Sequence, residues 1–387
     1  MPRTTLTVAG FALSAALASA PAQAVHPHMD LTVVTGGCRA CHAGHGVSSS
    51  PMLPAPQSDV CLSCHSSRAA ADEMVSRGLL SPTADPQLLS LELLQPFVHP
   101  VDSQSFSRSE PGAVTCTSCH SPHRRSVSSV SSDSAGAGRK LSTRDPNAFE
   151  VDLCAGCHGS AGVGTQSLLD LSRLTNPNNR SFHPLEAPAL ERSPSLIPEF
   201  SDREINCTDC HDNSDPEGAR GPHGSAVRYL LKQEYITVDG SPEGPESYGL
   251  CYGCHQREAV LDEGPFPFHR LHVADQMVSC ATCHSAHGSV ENRALIRFGE
   301  ETAVANVSPS GISGRLRYVS TGPGSGSCYV SCHGVDHAPA SYGSAGLITA
   351  PLLESMDKPG GTRSPSGKNL IARPPRPPKP RRPPHHH

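Results

Sequence analysis

Seven times along this chain, two cysteines stand three positions apart and a histidine follows the second at once. The first four copies are Cys38-Arg-Ala-Cys41-His42, Cys61-Leu-Ser-Cys64-His65, Cys116-Thr-Ser-Cys119-His120 and Cys154-Ala-Gly-Cys157-His158. The others are Cys207-Thr-Asp-Cys210-His211, Cys251-Tyr-Gly-Cys254-His255 and Cys280-Ala-Thr-Cys283-His284. The spacing suits covalent haem attachment. Two sulfurs form thioethers with the haem vinyl groups, and the adjacent imidazole binds the iron. One such motif alone could be half a zinc site or a redox pair. Zinc knuckles need no histidine after every second cysteine, and seven copies use 14 of the 16 cysteines.

The two remaining cysteines stand in Ser327-Cys328-Tyr329-Val330-Ser331-Cys332-His333, a motif one residue too long. Positions i and i+4 share a face of a helix much as i and i+3 do. A slightly altered helical turn therefore makes this an eighth haem site, and a disulfide or a pair of free thiols is the other reading. The expected cofactor is eight haems c.

The motifs fall into pairs. First members begin at Cys38, Cys116, Cys207 and Cys280, and second members at Cys61, Cys154, Cys251 and Cys328. Such self-similarity marks a repeat architecture. A histidine leads each pair: His26 or His28, then His99, His183, and His269 or His272, of which His269 aligns better with Phe182-His183. A second histidine follows the first motif of each pair: His45, His123, His223 and His287. The third pair departs from the C-H-x-x-H form, with Asp212-Asn213 after His211 and its candidate at His223. Of 22 histidines, eight close a motif and three end the chain, which leaves eleven. Eight irons with two imidazoles each need eight of these, and the repeat supplies two per pair. His337 is either a ligand or a bystander. Methionine can also be axial, but no methionine recurs in step with the repeat.

These residues must be held by little conventional structure. The chain has no Trp, 37 Pro and 34 Gly, and it cannot bury much apolar surface alone. Haem plates would supply the missing core, so the haem-free polypeptide is expected to be largely unfolded. The predicted fold class is that of a multihaem cytochrome c. Mostly irregular coil, with short α-helices and few strands, wraps a chain of stacked haems. Each C-x-x-C-H is expected on a short helical turn. Residues 69–78 and 87–95 are the better helix candidates. Ile236-Thr-Val and Arg315-Leu-Arg-Tyr-Val are candidate strands, and residues 126–138 read as a Ser/Gly/Ala linker.

Residues 1–24 read as a secretory leader: Arg3, an apolar run, then Ala22-Gln23-Ala24 as cleavage site. No later stretch could span a bilayer as a helix. The formal charge is −5, and −6 once Arg3 leaves with the leader. Nothing points to nucleic acid. Dihaem modules are expected over 25–95, 96–180, 181–262 and 263–345. A basic Pro/Arg-rich tail follows over 346–387, extended as polyproline II. It is either a solubilising extension or a ligand for an acidic surface.

With its doubled motifs, residues 25–340 resemble a multihaem c-type cytochrome, similar to the exported electron-transfer cytochromes of metal-reducing bacteria. The resemblance implies closely stacked haems, alternately parallel and T-shaped. Its implied partners are other redox proteins or extracellular electron acceptors, at the cell surface or in the periplasm. Some relatives polymerise into conducting filaments in which the next subunit donates a distal histidine, and His26 and His28 are candidates for that donation. A periplasmic or porin-embedded conduit is another form. Octahaem enzymes need an iron with an open position. Here all eight motifs end in histidine and distal histidines suffice, so electron transfer is expected rather than catalysis. The enzyme alternative would use the eighth haem.

Overall fold

The computed structural model describes residues 27–46, 52–101, 114–123, 150–159, 170–298 except 186, 202 and 204, and 307–343. The leader, His26, the 126–138 linker and the 346–387 tail lie outside the described residues.

Coil dominates, as expected. The α-helices are α1 Gln57–His65, α2 Arg68–Ser76, α3 Cys116–Cys119, α4 Glu150–His158, α5 Leu171–Leu174, α6 Pro245–Tyr252 and α7 Cys280–Cys283. Four strands have two residues each: β1 Phe97–Val98, β2 Ser181–Phe182, β3 Gly224–Ser225 and β4 Gly288–Ser289. β5 Val307–Ser308 is a fifth two-residue strand, and the longer ones are β6 Arg317–Gly322, β7 Ser325–Cys332 and β8 Val335–Tyr342. No helix among the described residues is long and apolar enough to cross a membrane.

Strands β1 and β3 pair antiparallel, as do β2 and β4. The third sheet is centred on β7, with β6 and β5 along one edge and β8 along the other. Apolar burial is divided among small clusters. Ala71, Met74, Leu79 and Leu80 pack beside Cys64. Tyr248, Leu261 and Val273 pack beside Cys280. Phe298, Tyr318 and Val330 pack beside Cys283, Cys328 and Cys332. Each cluster thus adjoins motif cysteines rather than a core of its own.

The predicted helix at 69–78 is α2, begun by Ser67, whose Oγ accepts from Ala70 N at 3.2 Å. The predicted helix at 87–95 does not form; only a 3-10 turn spans Glu92–Leu94. Two of its leucines face outward, Leu91 and Leu94 being 69% and 81% exposed, while Glu92 turns inward at 5%. Glu92 Oε1 accepts from Ala219 N at 2.9 Å and Asn213 Nδ2 at 3.1 Å, which explains the inversion. The predicted strand at Arg315–Val319 is realised, two residues later, as β6. The one at Ile236–Val238 is not a strand, because its backbone serves other elements. Ile236 N donates to Ser247 O, and Ile236 O accepts from Ser279 Oγ.

Candidate haem-binding sites

In the C-x-x-C-H segments the histidine N–H closes a helical turn on the first cysteine's carbonyl. The distance is 2.8 Å at His42, His120 and His211 and 2.9 Å at His255 and His284. His65 and His158 end α1 and α4. That turn brings the two sulfurs and the imidazole onto one side of a single loop of backbone. In three of the first-member motifs the residue before the first cysteine fixes the start of the turn. Thr115 N donates to Ser118 Oγ at 3.0 Å and Asn206 N to Asp209 Oδ2 at 2.8 Å. Ser279 Oγ accepts from Ala281 N at 3.1 Å.

The eighth motif departs from the expected turn. Cys328 and Cys332 lie in β7, and the hairpin to β8 turns at His333-Gly334. Here the tight two-residue reversal wins over the helical turn, because both turn residues adopt positive φ, 49° and 79°. No disulfide joins any of the sixteen cysteines.

Thiols touch where one motif pair meets the next. Cys61 is in hydrogen-bond contact with Cys116, Cys207 with Cys154, and Cys251 with Cys280; these contacts, then burial, push Cys61, Cys207 and Cys251 upward. Within the first three pairs the second cysteines are neighbours, and in the fourth Cys283 neighbours Cys328 and then Cys332. Burial raises Cys41, Cys119, Cys210 and Cys283, and the nearby Cys64, Cys157, Cys254 and Cys328 add to it respectively. The attachment motifs therefore follow one another in space from first to eighth.

The histidines meet in facing pairs. His28 lies opposite His65 at 5.9 Å between ring centroids, and His123 opposite His42 at 5.8 Å. His223 faces His120 at 5.8 Å, and His99 faces His158 at 6.3 Å. His287 faces His211 at 6.3 Å, and His269 faces His284 at 6.2 Å. His183 is close enough to His255 to depress it further after burial. His272 faces His337 at 6.4 Å. His45 is exposed, with no imidazole facing it among the described residues. With a metal–nitrogen bond of about 2.0 Å and a ring radius of about 1.1 Å, imidazoles bound from opposite sides put their centroids about 6.2 Å apart. The observed spacings match two rings on either side of one metal.

Second partners orient these rings. A backbone carbonyl only accepts, so each contact below makes Nδ1 the protonated nitrogen and leaves the Nε2 lone pair free. His65 donates to Gln87 O at 2.8 Å, His99 to Pro222 O at 2.6 Å and His183 to Ala286 O at 2.5 Å. His211 donates to Tyr229 O at 2.8 Å, His272 to Phe268 O at 2.8 Å and His284 to Ala294 O at 2.7 Å. Ser195 Oγ lies 2.9 Å from His255 Nδ1.

The pairing crosses the repeat. Strand β1 carries His99 at its end and β3 begins after His223; His99 N donates to His223 O at 3.3 Å. Strands β2 and β4 do the same for His183 and His287, at 3.1 Å. Each two-residue sheet thus carries the two histidines that face both motifs of one pair. The leading histidine comes from that pair, and the post-motif histidine from the next.

The walls fit a haem series. One continuous cavity of about 2920 Å³ is lined by the cysteines and histidines of the fourth to eighth motifs, together with His99, His183, His269, His272, His287 and His337. A usual small-molecule site occupies roughly 300–1,000 Å³. Among the described residues no group of three or more His, Cys, Asp or Glu could hold a bare ion. The donors gather as opposed pairs with a space between, which suits a planar macrocycle better than tetrahedral zinc.

Burial lowers His255, His269 and His287 from 6.5 to about 4, since a charged ring is poorly solvated there. Neutral imidazole is the metal-binding form. Between pH 6.5 and about 4 the unfolded chain binds more protons at these rings, so stability falls as pH falls through that window. In the haem-loaded protein iron would hold these rings deprotonated and unfolding would release them to bind protons, so the denaturation midpoint, read by the Soret band, is expected to decline as pH falls below 6.5.

Several supporting residues carry no motif signal. They include Asp239, Phe266, Ser195, and the glycines of His223-Gly224-Ser225 and His287-Gly288-Ser289. The repetition of H-G-S is the one signal that could have marked the last two.

The family signature described as "Doubled CXXCH motif" matches residues 32–70 and 200–260. Over 192 residues the chain is 27% identical to a protein of Geobacter sulfurreducens named "C-type polyheme cytochrome OmcC". That similarity covers 45% of this chain and 21% of the relative, so the chain spans a small part of that protein's length. No solved structure matches.

Proposed function

We propose that this multihaem c-type cytochrome, whose paired motifs are of the kind found in cytochromes of metal-reducing bacteria, conducts electrons along eight haems in chain order, each iron held between two imidazoles. The carrying observation is the series of facing histidine pairs, 5.8–6.4 Å apart, beside thiols that touch where one motif pair meets the next. Haem exchanges single electrons without changing its ligands, and two imidazoles favour a low potential. The protein fixes spacing, tautomer and burial. Filling both axial positions leaves little room for substrate, which supports conduction over catalysis.

We place the protein outside the cytoplasmic membrane, on the leader-like residues 1–24 and on thioether attachment, which is completed there. Other redox proteins or an extracellular acceptor would take the electrons. His28 faces His65 of its own chain, so it is not the histidine a neighbouring copy would borrow. His45, exposed and unmatched by another ring among the described residues, is the imidazole such a filament could use.

The test counts haems and ligands separately. Intact mass and the pyridine haemochrome should give eight haems per chain, and electron paramagnetic resonance should give low-spin iron throughout. Far fewer covalent haems, or mostly five-coordinate iron, would refute the proposal.

A further inference from the structure

The last motif differs from the other seven in structure, and the difference reaches its iron ligands. We infer that the haem at Cys328 and Cys332 takes its two axial imidazoles from His337 and His272, and that His333, directly after Cys332, is held off the iron by Asp239. This rests on the reading of the chain as a series of bis-imidazole haems.

Consider first the backbone. In the regular motifs the histidine returns over the first cysteine through a helical turn. Strand β7 offers no such return. Residues along a strand alternate between faces, so Cys328, Val330 and Cys332 share one face. Across the ladder Val330 pairs with His337. Directly opposed residues of an antiparallel pair project to the same side. His337 therefore stands on the face that carries both cysteines, between them along the sheet. His333 instead occupies the hairpin turn.

The second argument is the choice of ring nitrogen. His65, His211 and His284 engage the backbone through Nδ1 and keep Nε2 free. His333 does the reverse: its Nε2 lies 2.9 Å from Asp239 Oδ2. That carboxylate is buried, its side chain 3% exposed. It is also fixed by Ser279 N at 2.8 Å and Thr282 Oγ1 at 2.6 Å, both on the turn of the seventh motif. Freeing His333 for iron would strip a partner from a buried carboxylate.

The third argument is the alternative pair. His272 and His337 face each other at 6.4 Å, within 0.1 Å of the His99–His158 and His211–His287 spacing of 6.3 Å. His272 Nδ1 is committed to Phe268 O. Its ring is held by Phe266, 5.7 Å away, which also packs 4.8 Å from Tyr342 on β8. Both histidines and both cysteines line the same cavity. A π-helical turn, Arg270–Asp275, sets His272 one short step beyond His269, so neighbouring residues serve the seventh and eighth sites.

The experiment uses the haem-loaded full chain with His337→Gln, His272→Gln and His333→Gln, read by electron paramagnetic resonance and intact mass. Each of the first two should turn one haem of eight high-spin at unchanged haem count, and His333→Gln should leave all eight low-spin. A second variant, His337→Met, keeps a ligand in place and should raise the potential of one haem while it stays low-spin. It decides the matter if the glutamine variants do not accumulate. High-spin iron from His333→Gln with none from His337→Gln overturns the assignment. So does an unaltered protein with no haem on Cys328 and Cys332, although conduction through seven haems would then stand. Mostly high-spin iron in the unaltered protein would instead remove the underlying proposal.

Discussion

Produced without haem, the polypeptide gives no cooperative thermal unfolding transition and a far-ultraviolet circular dichroism spectrum dominated by coil. Among the described residues the longest helices have nine residues, and isolated helices below about 12–15 residues are marginal in water. Five of the strands have two residues. The largest buried apolar cluster has four members, two of them leucines. At roughly 1.5–3 kcal/mol for a fully buried large side chain, such a cluster cannot offset about 1–2 kcal/mol for each ordered backbone residue over the long loops around it. The missing apolar surface is the cavity itself, whose walls would otherwise face water. A sharp transition with native-like ellipticity in the haem-free chain would show that the polypeptide holds its own fold.

Gly288→Val should cost two haems their distal ligands, whereas His287→Ala should cost one. A Cβ at Gly288 would sit 1.9 Å from Leu174 O and 3.2 Å from Ser181 O. Both obstacles are backbone atoms and neither can swing aside, so β4 must leave β2. The pairing of Phe182 with Gly288 holds His183 against His287. Separating the strands also breaks the His183 Nδ1–Ala286 O contact. His183 faces the sixth motif and His287 the fifth, so two irons should become high-spin together, with a lowered denaturation midpoint. Electron paramagnetic resonance of the haem-loaded variants distinguishes one altered iron from two. A Gly288→Val protein with every iron low-spin would mean that the small sheet does not position these rings.

The attachment chemistry was fully legible, because two sulfurs and an imidazole on one turn need only local spacing. The candidates for distal ligands were legible too: His45, His99, His123, His183, His223, His287, one of His26 and His28, and one of His269 and His272 recur at matched places, although His45 meets no other ring among the described residues. Which ring faces which was not. The assignment of His223 to His120, or of His287 to His211, depends on strands of two residues joined across more than a hundred positions. Elements that short leave no periodicity. The stretch at 87–95 misled because its leucines have helical spacing but two of them face outward, while Glu92 answers to Asn213 and Ala219. The eighth motif misled for a related reason. Its extra residue reads as a stretched turn in isolation, and only the ladder with β8 makes it a strand.

Borrowing a ring from the following pair has a consequence for how such a chain can grow. A unit added at the end would need a successor to complete its own first iron, and that successor another. Lengthening is therefore easy by insertion in the middle, where both neighbours already match, and difficult at the tail. The last pair escapes the regress by supplying its own imidazoles and closing on a four-stranded sheet, much as end units of repeat proteins differ from those inside the array. Internal duplications between that terminus and the beginning would make a longer conductor with unchanged ends.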